Sequence, residues 1–70
     1  MPLALVEPGI TYTIRRIAGS ASTAHHLEEM GFVTGAKVIL ISMVNGNYIV
    51  GVKGARIGLG REFAKRIIVD

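Results

Sequence analysis

The 70-residue chain contains no cysteine. A disulfide framework and a thiolate metal site are therefore excluded, which suits a reducing compartment. No apolar run approaches the roughly 20 residues needed to cross a bilayer as a helix. The apolar start, "MPLALV", is short, has no basic residue before it and meets Glu7, Pro8 and Gly9 at once, so a secretory signal is not expected. Charge of one sign is never concentrated: Lys and Arg number 8 against 5 Asp and Glu, for a net +3, and no block of like charges forms an arm for nucleic acid or membrane. Aromatics are few. Tyr12, Phe32, Tyr48 and Phe63 are scattered, with no basic-aromatic run of the kind that stacks nucleic-acid bases. The expectation is a soluble, cytoplasmic domain that is neither membrane-embedded nor a nucleic-acid binder.

Hydrophobic residues, by contrast, make up 50% of the chain, enough for a compact core and too many for a disordered segment. The length allows one domain, residues 1–70, with no repeat or linker. Pro8-Gly9 marks a turn. In "TYTIRRIAG", Tyr12 and Ile14 share a strand face, and Arg15-Arg16-Ile17 break the alternation as a bulge would. "SASTAHHLEEM" is built of helix formers, with Ser20 or Ser22 placed to cap it and Ala24, Leu27 and Met30 on one stripe. Gly31 follows where a left-handed residue commonly ends a helix. "AKVILISM" reads as a buried-type strand, continuous through Val38, Ile39, Leu40 and Ile41. Asn45-Gly46 is a strong hairpin signal, and "NYIVGVK" returns with Tyr48, Val50 and Val52 on one face. Lys53-Gly54 suggests a second tight turn, "ARIGLG" a fourth strand, "REFAKR" one helical turn and "IIVD" a last short strand. About five short strands and a short helix point to a small barrel.

These residues carry a resemblance. "LEEMGFVTGAKVILI" resembles the L-x-x-M-G-h-x-x-G-x-x-h-x-h segment (h, hydrophobic) of the ferrous iron transport protein A family, FeoA, through Leu27, Met30, Gly31, Gly35, Val38 and Leu40. The tail "VKGARIGLGREFAKRIIV" is similar to that family's closing hairpin, and "ALVEPGITYTIRRIAG" to its opening strand. Order, spacing and total length together cover nearly the whole chain. The resemblance implies a mainly β fold, a small SH3-like barrel of about five strands with one short inserted helix. It also implies a non-catalytic accessory or regulatory role beside the cytoplasmic part of the membrane ferrous iron transporter FeoB. The exposed helix and its exit, with Leu27, Met30, Gly31, Phe32 and Gly35, are then the candidate partner surface. His26 stands where the family often has a basic residue before the leucine. Self-association into a homo-oligomer stays open.

Other chemistries compete poorly for the same residues. On a helix, His25 and Glu29 are four apart and His26 and Glu29 three apart, so they face one another. Zinc or iron normally needs three or four converging ligands, and one helix face supplies two, so His25, His26 and Glu29 are weak metal candidates and no cofactor is expected. Ser20, Ser22 and Ser42 lack the glycines of a nucleophile elbow. Glu28 and Glu29 are neighbours about 100° apart on a helix and do not converge as an acid–base pair. "GARIGLGRE" lacks the spacing and the Lys-Ser/Thr of a phosphate loop. A small SH3-like nucleic-acid-associated or metal-sensing module is the alternative reading.

Overall fold

A computed structural model describes all residues, 1–70. Five strands carry the fold: β1 (Thr11–Ile17), β2 (Lys37–Val44), β3 (Asn47–Val52), β4 (Ala55–Gly60) and β5 (Ile67–Val69). Helix α1 (Ala21–Glu29) is inserted between β1 and β2, and one turn of helix, α2 (Arg61–Ala64), joins β4 to β5. All pairings are antiparallel, in the order β4-β3-β2-β1-β5.

The turns are set by local chemistry. Asn45 and Gly46 both take positive φ (50° and 81°), as do Lys53 and Gly54 (49° and 78°). Two consecutive left-handed residues match the twist of the flanking strands, so each pair closes a two-residue hairpin. β1 bends the sheet into a barrel. Its first half, Thr11 to Thr13, pairs with β2, and its second half, Ile14 to Ile17, pairs with β5. The register shifts between Ile14 and Arg16, where the alternation of the sequence breaks, and a second shift lies between Leu40 and Ser42 in β2. Such bulges sharpen the local bend.

The core is one cluster, with Ile14, Leu27, Phe32, Val38, Leu40, Val50 and Ile67 among its members, each at most 1% exposed. One expectation needs correction. β2 is not buried on both faces: Val38 and Leu40 point inward, whereas Ile39 is half-buried and Ile41 and Met43 are exposed. One side of this sheet packs on the core and the other faces outward, as antiparallel sheets allow. The apolar start is also more than a lead-in. Leu3–Leu5 forms a 3-10 turn that sinks Leu3 and Val6 into the core. The buried Tyr48 hydroxyl donates to the Ala4 carbonyl at 3.3 Å, and the Val69 N–H donates to the Met1 carbonyl at 2.6 Å.

Candidate functional site: the exit of helix α1

Helix α1 starts where Ser20 stops the preceding chain. The Ser20 Oγ accepts from the Thr23 N–H at 3.2 Å, satisfying a donor that the helix itself cannot. With nine residues the helix is too short to persist alone, and its single fully buried residue, Leu27, anchors it to the barrel.

Its end accounts for the Leu27-x-x-Met30-Gly31-Phe32 spacing. The Phe32 N–H donates to the Leu27 carbonyl at 3.1 Å, and the Gly31 N–H donates to the Glu28 carbonyl at 3.0 Å. This pair of bonds is the Schellman arrangement. It needs a left-handed residue after the helix and commonly brings an apolar contact between the residue beyond it and the third from the helix end. Gly31 holds φ at 104°, and Leu27 and Phe32 both lie fully buried in the core cluster. The apolar pair Leu27 and Phe32, five residues apart across a glycine, was the sequence signal for this closure.

The candidate surface residues therefore divide. Leu27 and Phe32 are 0% exposed, so they support the surface from beneath and cannot themselves touch a partner. Met30 is half-buried against the core, with part of its thioether chain outside. Gly31 is half-buried and Gly35 exposed. Gly35, at φ 91°, donates its N–H to the Ile14 carbonyl at 2.8 Å, which ties the exit loop to β1. Met30 and the Thr34-Gly35 turn are what this region presents to solvent.

The polar face of α1 forms no converging cage. His25 Nε2 lies 3.8 Å from Glu29 Oε2, both side chains being well exposed. His26 turns instead toward Phe63, with ring centroids 5.7 Å apart. No three His, Asp or Glu side chains stand close enough together to share a metal ion. The remaining acids are dispersed. Asp70 accepts the Thr13 N–H at 2.9 Å, and this bond, with help from the positive charges of Arg15 and Lys37, holds its carboxyl below the ordinary aspartate value. No buried side-chain polar atom is left without a partner.

The FeoA domain model matches residues 1–70, the whole chain. The chain belongs to the FeoA family. It is 32% identical over 69 residues to the Fe(2+) transport protein A of Methanocaldococcus jannaschii, covering 99% of this chain and 84% of that one. A crystal structure of the iron uptake regulatory protein FeoA superposes with a TM-score of 0.91 at 29% identity, over 99% of this chain and 92% of the other. FeoA of Stenotrophomonas maltophilia, complexed with zinc and described as a prokaryotic SH3 domain protein, superposes with a TM-score of 0.87 at 25% identity, over 100% of this chain and 89% of that one. The five-stranded antiparallel barrel is thus the SH3-like fold of FeoA proteins, and the chain's place is in ferrous iron transport.

Proposed function

We propose that this FeoA protein is a non-catalytic, cytoplasmic accessory factor of ferrous iron uptake that docks on the cytoplasmic part of the FeoB transporter and tunes its assembly or activity. The family match along the whole chain carries this reading. The docking surface is the α1 exit, where Met30, Gly31 and Gly35 sit over the buried pair Leu27 and Phe32. A helix closed by a fixed capping motif presents a rigid edge, and a rigid surface loses little entropy on binding. Recognition suits this molecule better than catalysis, because no histidine or acid is buried, and burial is what commonly tunes the reactivity of such groups. No helix is long and apolar enough to cross a membrane.

The test is capture of the transporter from detergent-solubilised membranes by the immobilised protein. The wild-type chain should retain FeoB, and Met30→Ala should lose capture while melting only slightly earlier. Undiminished capture by Met30→Ala, in a protein that remains folded, would move the docking surface elsewhere. No capture by the wild type would remove the transporter reading itself.

A further inference from the structure

A second surface lies on the outer face of the sheet, away from the core. The register places Thr11, Ile39, Gly51 and Arg56 in one row across β1, β2, β3 and β4. Four strands at about 4.8 Å spacing make a row of about 14 Å. One member of the row, Gly51, has no side chain, and the row dips there. The dip is an open groove of about 370 Å³ floored by Ile39, Ile41 and Gly51. Gly51 owes nothing to a special backbone: its φ lies outside the left-handed region, and a Cβ placed on it would come within 3.0 Å of the Ile39 Cγ2 and 3.5 Å of the Ile41 Cδ1. The neighbouring outward glycine, Gly58, has only the Ile49 Cδ1 near its Cβ position, at 3.6 Å, and takes no part in lining the groove.

The rim of this groove is uniformly cationic. Lys37, Lys53 and Arg56 line it, all three exposed, and no acidic residue lines it. Lys37 donates to the Thr13 Oγ1 at 2.7 Å and feels Asp70, but Lys53 and Arg56 have no ion-pair partner anywhere in the molecule. The stem of Lys53 also passes over Gly31, where a Cβ would lie 3.6 Å from its Cδ, so the groove adjoins the α1 exit.

We infer that this groove binds a short, extended acidic peptide segment of a protein partner, with an apolar side chain over Gly51 and carboxylates reaching Lys37, Lys53 and Arg56. A row of about 14 Å spans about four extended residues. An apolar floor alone would accept any greasy contact; three cations around it, Lys53 and Arg56 among them without an ion-pair partner, select carboxylates and repel basic segments. Nucleic acid is disfavoured, because the floor is aliphatic and offers no aromatic platform for bases. The groove adjoins the transporter-docking surface but uses none of Met30, Gly31 and Gly35, so the inference stands without that reading.

The test is an amide-resolved NMR titration of the whole protein with an acetylated hexapeptide of alternating glutamate and leucine. Shifts should cluster at Lys37, Ile39, Gly51, Lys53 and Arg56. The same peptide with glutamine for glutamate should bind about tenfold more weakly, and so should Lys53→Glu/Arg56→Glu with the original peptide. Gly51→Val keeps every charge and fills the floor, so it should also lose binding; its own amide spectrum verifies the fold, and the charge-reversal pair decides the matter if it is disturbed. Equal binding of the glutamine peptide, shifts centred on the α1 exit, or absence of shifts at millimolar peptide would overturn the inference. So would tighter binding of a single-stranded oligonucleotide or of inorganic phosphate at the same residues, which would make the groove a general anion site.

Discussion

The inner face of β3 carries Tyr48, Val50 and Val52, each at most 2% exposed; its outer face carries Asn47, Ile49 and Gly51, none of them fully buried. One strand thus faces two environments with opposite demands. Inside, every position must be filled, because packed interiors leave few voids and an empty methyl's worth of space is costly. Outside, a missing side chain costs little and makes a place for something else. β2 repeats the division, with Val38 and Leu40 inward and Ile39 and Ile41 outward. A run of four consecutive aliphatics therefore does not describe four equivalent positions. Stability is concentrated on one side of the hairpin, and the capacity for recognition on the other.

The comparison breaks most visibly at adjacent residues. Leu40→Ala should cost about 2–5 kcal/mol, enough to bring so small a domain near its limit, because it empties a site that is 1% exposed. Ile39→Ala, one residue earlier and half-buried, should cost about 1 kcal/mol or less. Urea unfolding followed by far-ultraviolet circular dichroism would measure both. Equal losses would mean that the outer face is part of the stabilising core, and the division between faces would fail.

Two glycines sharpen it at the next magnitude. Gly51 is there for space, and Gly31 for its backbone. At φ 104°, Gly31 has only ordinary room problems, the nearest atom to a Cβ being 3.6 Å away, but a β-branched residue is strained there whatever the space. Gly31→Val should cost about 1–2 kcal/mol. An unchanged thermal midpoint would show that the Schellman bonds re-form without a left-handed residue.

These contrasts also mark what could be read from the residues alone. The hairpin turns were legible because Asn45-Gly46 and Lys53-Gly54 state their own conformations. The helix and its end were legible from Ser20, the Leu27 stripe and Gly31. The bulge in β1 showed in Arg15-Arg16-Ile17. The burial of Phe32 was not read, although its position one residue past a capping glycine encodes it. The role of Leu3 was hidden for another reason: a three-residue 3-10 turn has no period, and tertiary contacts fix its place, among them the bridge from Pro2 to Ile68 and the bond from the Tyr48 hydroxyl. The two-sided reading of β2 failed because an aliphatic on the outer face of a sheet looks the same in sequence as one inside. The groove over Gly51 depends on the pairing of Ile39 with Gly51, and the bulge between Leu40 and Ser42 moves that pairing one residue away from the register that the Asn45-Gly46 turn alone would set.

The exposed face of α1 should respond far less than Gly31. His25 and Glu29 are 3.8 Å apart and both well exposed, a geometry in which ion pairs contribute little. Replacing His25 and His26 together by alanine should change stability by no more than about 0.5 kcal/mol, with His26 giving up only its ring contact to Phe63. A chelator should leave the thermal midpoint where it was, since a metal bound only by the folded protein would stabilise it through mass action. Early melting of the double variant, together with loss of a stoichiometric metal, would turn this face into a metal site.

The smallest expected effect lies at Asp70, outside both the core and the groove floor. Thr13 and Asp70 exchange two bonds: the Thr13 N–H donates to Asp70 Oδ1 at 2.9 Å, and the Asp70 N–H donates to the Thr13 carbonyl at 3.2 Å. The first of these holds the Asp70 carboxyl below its ordinary value of 3.8, with Arg15 and Lys37 adding to it. A carboxyl depressed by folding contributes stability above its unfolded pKa, and that contribution is lost as pH falls through the folded value. Asp70→Asn keeps an oxygen for the Thr13 N–H and removes only the charge. The variant should therefore be slightly less stable than wild type at about pH 7, and the two stability curves should converge below the ordinary aspartate range. Added salt should narrow the gap at neutral pH, because Arg15 and Lys37 act through exposed, screened charge. A gap that stays constant from neutral to strongly acid solution would assign the effect to the geometry of the bond and not to the carboxylate.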